Sequence, residues 1–211
     1  MDRKVSESVI NRLPRYYRYL NDLLKNGTER ISSKELSDRM GVTASQIRQD
    51  LNCFGGFGQQ GYGYNVQTLH REIAKILGLN NGYTAILIGV GNMGHAFASN
   101  TKFESRGFKL IGIFDIDSNK IGTEIRGQAV RDYAAVGEFI QQYRPNMAIL
   151  AVPKAAMHKV AQDLIGFGIK AFLNFSYTEL TLKDDIAVEN IHLSDSLMRL
   201  SYKIKEKNET L

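Results

Sequence analysis

Apolar residues recur at helical rather than alternating spacing through much of the first 80 residues. Pro14 predicts the start of a helix that ends at Gly27, because proline lacks the N–H that a helix start leaves without a partner and glycine suits the residue after a helix. A shorter helix is expected before it, around residues 6–12, and an amphipathic helix over residues 66–79. The turn at residues 80–82 then predicts a domain boundary.

Two shorter helices are predicted between these elements, each beginning with a capping box. The runs are Ser32-Ser33-Lys34-Glu35 and Thr43-Ala44-Ser45-Gln46, and Gly41 ends the first of the two helices. Ile47 and Leu51 lie four residues apart on the second helix, so that face packs inward. The tight turn predicts a helix-turn-helix, whose second helix enters a DNA major groove. A plain helical hairpin with a polar outer face is the alternative.

The outer face of the second helix carries side chains suited to reading DNA, since arginine pairs with guanine and glutamine with adenine in the major groove. The following segment, residues 54–64, is rich in glycine and aromatic residues, which predicts a short hairpin wing. The DNA-binding candidates on the helix and the wing are Thr43, Ser45, Gln46, Arg48, Gln49, Gln60 and Tyr62.

A second signal follows an apolar run at residues 84–88, where Gly89-Val90-Gly91-Asn92-Met93-Gly94 leads into a helical stretch from His95. A G-x-G-x-x-G between a strand and a helix predicts dinucleotide binding, because the glycines let the backbone reach a pyrophosphate at the positive end of the helix. Asp115 ends the next predicted strand, near the spacing at which an acid accepts ribose hydroxyls. No arginine stands beside it to receive a 2′-phosphate, which favours NAD(H). A tight turn that binds nothing is the alternative.

Strands and helices continue to alternate after Asp115. Strands are predicted at residues 109–114, 147–152 and 171–175, which indicates an α/β fold with a parallel, doubly wound Rossmann sheet and a ligand at the carboxyl ends of its strands. Four residues at such ends are candidates for the nicotinamide side, although each also fits ordinary turn or core chemistry. They are Val152, Pro153, Asn174 and Phe175.

An amphipathic helix is predicted at residues 193–207, after the sheet is complete. It packs either on its own domain or on a partner subunit. The predicted organisation is a winged helix-turn-helix domain at residues 1–80, a Rossmann domain at residues 81–191 and a terminal helix at residues 192–211.

Composition and charge are compatible with this organisation. The chain has 211 residues, of which 43% are hydrophobic and 23% charged, as in an ordinary globular protein. Its first 80 residues contain 12 Lys and Arg against 8 Asp and Glu, so they hold +4 of the formal net charge of +5. This favours a nucleic-acid-binding part joined to a near-neutral ligand-binding part; a basic solvated surface is the alternative.

The sequence also bears on the compartment. No apolar stretch is long enough to span a bilayer, and no signal core follows Met1, so a cytoplasmic protein is expected. The single cysteine, Cys53, excludes an internal disulfide and agrees with a reducing compartment. We expect Cys53 to be a partly buried filler; a response to oxidation is the alternative.

Taken in order, several of these motifs resemble the redox-sensing transcriptional repressors called Rex. The resemblance runs from about residue 6 to residue 203 and covers both domains. The runs that carry it are Ile47-Arg48-Gln49-Asp50-Leu51, the Phe-Gly-x-Phe-Gly…Gly-x-Gly-Tyr wing, the residue 89–94 glycine turn, Phe114-Asp115-Ile116-Asp117, Leu173-Asn174-Phe175 and Leu200-Ser201-Tyr202.

The resemblance implies a homodimer in which each C-terminal helix is swapped and wedged between the partner's two domains, with Leu193 and Leu197 on that helix. It implies a palindromic operator bound when NAD+ is present or the site is free, and released when NADH closes the dimer. Arg48 is implied to contact DNA, and the residue 89–94 turn with Asp115 to hold the dinucleotide. Arg18 is implied to face the swapped helix and take part in the switch.

This chain departs from the family pattern at the DNA surface and at the switch. Gln49 stands where lysine is general, and Gln60 lies in a wing segment where a basic residue is usual, which predicts weaker DNA binding or a different operator. Asn100 stands where tyrosine is common, and His192 where an aspartate is the expected partner of Arg18. The redox response could therefore be altered, reversed or lost, as in a divergent paralogue.

Two other functions remain open from the residues alone. The first is a small NAD-dependent oxidoreductase, although the chain after Asp115 is short for a substrate domain, and His95 and His158 belong to no recognisable dyad. The second is a ligand-binding scaffold that has lost DNA binding.

Overall fold

The computed structural model describes residues 5–55, 57–59, 62–183 and 185–209. The chain divides into two compact units, Met1–Asn81 and Gly82–Leu211. Each unit has its own hydrophobic core.

The first unit is a small helical domain with a three-stranded sheet. Leu13, Tyr16 and Leu20 of its longest helix are fully buried against Leu36 and Ile47. Its elements are α1 (Glu7–Ile10), α2 (Leu13–Lys25), β1 (Arg30–Ile31), α3 (Ser33–Met40), α4 (Ala44–Asn52), β2 (Gly58–Gln59), β3 (Gly63–Asn65) and α5 (Val66–Ile76).

The first predicted capping box is confirmed at the start of α3. Ser32 Oγ accepts the Glu35 N–H at 3.1 Å, and the Glu35 carboxylate accepts the Ser32 N–H at 2.8 Å. The second prediction is half wrong. Thr43 accepts the Gln46 N–H at 3.1 Å, but the Gln46 amide donates to the Asp50 carboxylate instead of returning to Thr43. A buried carboxylate is the stronger acceptor, so it draws the Gln46 side chain away from the helix start.

The predicted wing is confirmed as an antiparallel hairpin of β2 and β3. β3 also pairs with β1, which places β3 at the centre of the sheet. Gly63 in β3 has φ +69°, and a Cβ there would lie 2.6 Å from the Ile31 carbonyl oxygen, so this turn requires glycine. With α3 and α4, the hairpin makes the first unit a winged helix-turn-helix.

The second unit is a seven-stranded sheet in the order β10-β9-β8-β4-β5-β7-β6, parallel except where β6 pairs with β7. Its strands are β4 (Tyr83–Ile88), β5 (Phe108–Asp115), β6 (Glu124–Ile125), β7 (Gln128–Asp132), β8 (Met147–Leu150), β9 (Ala171–Asn174) and β10 (Ala187–Asn190). Its helices are α6 (Asn92–Ala98), α7 (Val136–Tyr143), α8 (Lys154–Gly166) and α9 (Leu193–Glu209), with 3-10 helices at Thr101–Arg106 and Tyr133–Ala135.

The central strand β4 is buried on both faces, as a doubly wound sheet requires. Ile86 and Ile88 pack on one face with the residues of α7 and α8, whereas Ala85 and Leu87 face the side that carries α6. The predicted Rossmann-type sheet is therefore confirmed, and the carboxyl ends of β4, β5, β8 and β9 meet at one edge.

Some predicted boundaries were wrong. α6 begins at Asn92 rather than at His95, so the third glycine of the turn lies inside the helix. β8 ends at Leu150, because the chain turns there into the loop that begins α8. β6, β7, β10 and α7 were not predicted.

α9 is amphipathic, yet none of its described residues is buried. In the part of the chain that the structure describes, no helix combines the length and apolar character needed to cross a membrane. The exposed apolar side chains of α9 are Leu193, Leu197, Met198, Leu200, Tyr202 and Ile204.

Candidate dinucleotide and DNA sites

The turn between β4 and α6 uses its first and third glycines for the protein's own packing. Gly89 has φ +92°, and a Cβ on it would lie 2.5 Å from the Ala151 carbonyl oxygen. Gly94 is buried, and a Cβ on it would collide with the Gly89 carbonyl oxygen and meet Ala151 Cβ at 3.3 Å. Both glycines are therefore needed for the tight turn and for the close packing of α6 on the sheet.

Gly91 differs from the other two, because no neighbour among the described residues requires a glycine there. Its φ is −73°, which any residue adopts, and an added Cβ would meet no atom within 4 Å. The first N–H groups of a helix have no partner within the helix, and α6 begins directly after Gly91. An anionic group can approach the backbone closely at Gly91 and accept hydrogen bonds from these N–H groups. The pyrophosphate of a dinucleotide is such a group.

Asp115 lies 7% exposed at the end of β5 and is tied to the glycine turn. Its Oδ2 accepts the Val90 N–H at 2.6 Å, and its Oδ1 accepts the N–H groups of Ile116 and Asp117 at 2.8 and 2.9 Å. Burial raises the pKa of this carboxyl, but the N–H groups of Asp117 and Val90, then Lys120 and the Ile116 N–H, together outweigh burial and hold the pKa below its usual value. Asp115 thus shapes the turn as an anion, and three of its roughly four acceptor positions are filled by the protein.

Lys120 is a residue of this site that sequence reasoning missed. Its Nζ lies 3.5 Å from Asp115 Oδ2 and 3.5 Å from Asp117 Oδ2. Asp117 accepts the Asn119 N–H at 3.0 Å. This turn folds the chain back, so that Lys120 lies beside the carboxyl end of β5. The Asp-x-Asn spacing was a usable signal for this turn.

The loop after β8 lies against the glycine turn. A Cβ on Gly89 would lie 3.1 Å from Val152 Cγ1, and Pro153 is the residue before α8. On the α6 side, Asn92 and Met93 are exposed, so their side chains border the same edge. The structure therefore brings together the candidates of three neighbouring strands.

Asn174 does not offer its side chain to this edge. It is fully buried; its Nδ2 donates to the Thr178 carbonyl at 2.8 Å and to Asn190 Oδ1 at 2.7 Å, and its Oδ1 accepts the N–H and hydroxyl of Ser176. The Asn174 side chain therefore holds the loop, and that Asn174 lines the ligand stays a prediction. Phe175, which follows it, is half-buried with its ring centroid 5.8 Å from that of Phe97.

An apolar groove of about 520 Å³ lies on the sheet face that carries α6. Ile149 and Leu173 of the sheet form part of its floor, with Phe97 and Phe103 beside them. Asn100 also lines this groove, and its Oδ1 accepts the Lys102 N–H at 3.0 Å, so it caps the 3-10 helix that follows.

The candidate DNA helix, α4, presents Ser45, Arg48 and Gln49 as exposed side chains. The Arg48 guanidinium donates to Ser33 Oγ at 2.9 Å and is thereby held over the start of α3. Gln46 is half-buried, and its amide donates to the Asp50 carboxylate at 2.8 Å; that Gln46 contacts DNA stays a prediction. Thr43 serves as the N-cap of α4.

The inner face of α4 carries a buried carboxylate that sequence reasoning missed. Asp50 is 0% exposed and accepts from Arg12 Nε at 2.6 Å, Arg12 Nη2 at 2.8 Å, the Tyr16 hydroxyl at 2.8 Å and Gln46. Burial raises the pKa of this carboxyl, but Arg12 and the other donors hold it below its usual value. Burial and the Asp50 charge raise the pKa of Tyr16. These bonds tie α4 to the start of α2.

The wing presents Tyr62 with 70% of its surface exposed, while Gln60 lies outside the described residues. Arg18 is exposed on α2. His192 is half-buried immediately before α9, where Leu193 and Leu197 are exposed.

The candidates for acid–base or redox chemistry, His95, His158 and Cys53, are all exposed. His95 and His158 lie on α6 and α8. Cys53 is exposed beyond the end of α4, with its Sγ 3.3 Å from the Gln49 carbonyl oxygen, so its prediction as a partly buried filler was wrong. Within the described residues, no cluster of three or more His, Cys, Asp and Glu is arranged to hold a metal ion.

A winged helix-turn-helix followed by a Rossmann unit with an open glycine turn defines a class of DNA-binding proteins that carry a nucleotide sensor. Residues 4–52 match a family model described as a putative DNA-binding protein N-terminus, and residues 80–178 match one described as a CoA binding domain. With the relatives below, these matches show that the chain belongs to the family of Rex redox-sensing transcriptional repressors.

Curated relatives named redox-sensing transcriptional repressor Rex cover nearly the whole chain. The protein of Thermoanaerobacter pseudethanolicus is 54% identical, over 97% of this chain and 91% of its own. That of Clostridium beijerinckii is 47% identical, over 97% of each chain. These relatives are repressors, not enzymes.

Solved structures of a Rex-family repressor named RSP share the fold. RSP in complex with β-NAD+ and operator DNA has a TM-score of 0.91 and 52% identity, over 99% of this chain and 96% of that one. RSP in complex with β-NADH has a TM-score of 0.91 and 50% identity, over 99% of this chain and 98% of that one.

Proposed function

We propose that this repressor binds NAD(H) at the β4–α6 turn and a palindromic operator through α4 and the wing, and that NADH releases the DNA. The observation that carries the nucleotide part is Gly91, a glycine that the protein's own packing does not require. The RSP complexes with β-NAD+, β-NADH and operator DNA support both ligands. A repressor acts where its operator DNA lies, so a cytoplasmic location is part of this proposal.

Different residues at the strand ends are proposed to contact different parts of the nucleotide. The Gly91 edge and the start of α6 hold the pyrophosphate, and the acidic pair Asp115 and Asp117 disfavours a 2′-phosphate. Val152, Pro153 and Phe175 border the nicotinamide end. When bound, NAD(H) supplies no catalysis here; its oxidation state is the signal.

DNA release requires that NADH prefer the state of the dimer that does not bind the operator. A ligand shifts a conformational equilibrium only by its difference in affinity for the two states. The switch residues are proposed to be Arg18, Asn100 and His192. Because Asn100 and His192 depart from the family pattern, the size of the NADH response is the property in which this chain is expected to differ from its relatives.

The homodimer is proposed to form through α9, with each helix docked on the partner subunit. Two apolar surfaces of the second unit, each left exposed among the residues that the structure describes, support this. One is the exposed face of α9, including Leu193 and Leu197, and the other is the 520 Å³ groove beside Asn100. Contiguous exposed apolar side chains commonly mark a surface that another protein covers.

The test is operator affinity at fixed salt without nucleotide, with NAD+ and with NADH. Release by NADH alone supports the proposal, whereas identical affinity in all three conditions contradicts the sensor. The Gly91→Val variant places a side chain at the open edge, so it should bind DNA normally but lose the response to NADH. Gly166→Ala is the matched control, since a Cβ at Gly166 also meets nothing within 4 Å but lies at the end of α8.

The runner-up, an NAD-dependent oxidoreductase, makes the opposite prediction. Steady consumption of NADH with a small carbonyl compound would favour it.

A further inference from the structure

The wing of this chain contributes no cation of its own. Between Arg48 and Arg71 the sequence contains no lysine or arginine, so neither β2, β3 nor the turn between them carries a positive side chain. A wing that contacts DNA lies against phosphates, and each cation it lacks removes one phosphate contact. The structure supplies a cation from elsewhere.

Arg30 lies in β1, which joins the wing sheet as its third strand. Arg30 is paired with Asn65 of β3, and Ile31 beside it is buried, so the alternation of the strand directs Arg30 outward. Arg30 Nη1 donates to the Tyr62 carbonyl at 3.0 Å, and the guanidinium carbon lies 5.8 Å from the centroid of the Tyr62 ring. The exposed cation is therefore held on the wing by a hydrogen bond and a ring contact.

The rest of the guanidinium remains available. Of its five N–H donors, one bonds the Tyr62 carbonyl, and no carboxylate among the described residues lies within ion-pair distance of Arg30. Arg12 and Arg71 of the same unit are instead paired with Asp50 and Glu72. A planar guanidinium fixed by its surroundings loses little rotamer freedom when it binds an anion.

Arg30 also lies close to the arginine proposed to read the operator. Arg48 is bonded to Ser33, three residues after Arg30, and three extended residues span at most about 11 Å. One short segment of chain therefore anchors the recognition arginine at one end and the wing cation at the other.

We propose that Arg30, held by Tyr62, is the phosphate-binding residue of the wing and takes the place of the basic residue that the wing itself lacks. This inference rests on the proposed operator binding. Arg30 contributes affinity that is independent of sequence, whereas Arg48 contributes discrimination between bases.

The experiment measures the Kd of the full-length protein for an operator duplex that it has itself selected from random DNA, from low to moderate salt. Arg30→Gln should weaken binding to the operator and to a shuffled duplex by the same factor, and should reduce the slope of log K against log salt by about 1 per subunit. Arg30→Lys keeps the charge and should restore most of the slope. Arg71→Gln removes the same charge away from the wing and should leave the slope unchanged.

A fourth variant separates positioning from charge. Tyr62→Leu removes the ring but keeps the cation, so it should weaken binding and leave the salt slope unaltered. If Arg30→Gln has the wild-type slope and affinity while the wild-type chain binds its operator, this inference fails and the proposed function stands. If the wild-type chain selects no DNA, both fail.

Discussion

The substitution Asp50→Asn, although conservative in shape, is expected to lower the free energy of unfolding of the first unit substantially. Asp50→Asn preserves shape, but it turns an acceptor of four donated hydrogen bonds into a group with one acceptor oxygen and a competing donor. Asp50 accepts from Arg12, Tyr16 and Gln46 at distances between 2.6 and 2.8 Å. The Asn amide group then faces donors with which it cannot pair.

The size of the effect follows from what remains after the substitution. Breaking a buried ion pair by removing one partner costs about 3 to 5 kcal/mol, largely because the other charge is left without compensation. The Arg12 side chain is 28% exposed and can be partly hydrated. We therefore expect a loss near the lower limit, about 3 kcal/mol in the free energy of unfolding.

The stabilisation that the Asp50 charge provides should depend on pH. The pKa of Asp50 is lower in the folded unit than in the unfolded chain, so its contribution is complete above the unfolded value and is lost as pH falls through the folded value. The wild type and Asp50→Asn should differ fully at pH 7 and converge only below about pH 4, where an unfolded aspartate becomes protonated.

The assay is native-state hydrogen exchange of the α2 and α4 amides in the full-length chain, since it reports on the first unit without requiring the unit in isolation. Asp38→Asn is the control, because Asp38 is exposed on α3, and it should change stability by less than about 0.5 kcal/mol. A loss below about 1 kcal/mol for Asp50→Asn at pH 7, or one that persists unchanged at low pH, would refute the reasoning.

Four further experiments test the remaining proposals. Gly89→Ala should destabilise the second unit by about 1 to 3 kcal/mol in chemical denaturation, because φ is +92° and the Cβ meets the Ala151 carbonyl; a neutral result would contradict that geometry. Gln49→Lys with Gln60→Arg should tighten binding to the usual family operator and steepen its salt dependence, and no gain in affinity would refute the idea of weakened DNA contacts. Leu197→Asp should yield monomers in light scattering; an intact dimer would show that α9 does not hold the subunits together. His192→Asp should enlarge the NADH-induced loss of operator affinity, an effect that should disappear in an Arg18→Ala background.

Local patterns accounted for much of this protein. The Ser32–Glu35 capping box, the end of α3 at Gly41 and the glycine turn depend on interactions within a few residues, so their spacing in the chain predicts them. The apolar runs predicted β4 and β5, because a central parallel strand must be apolar on both faces.

Contacts between distant residues were decided only by the folded chain. The sequence did not single out Asp50, because its burial depends on Arg12, which lies 38 residues away. The sequence predicted that Asn174 lines the ligand, but in the fold its side-chain amide is hydrogen-bonded to Asn190 and Ser176. Arg30 reaches the wing because β1 pairs with β3. A local pattern specifies which backbone a segment prefers, but the partners of a polar side chain depend on which distant segments the fold brings together.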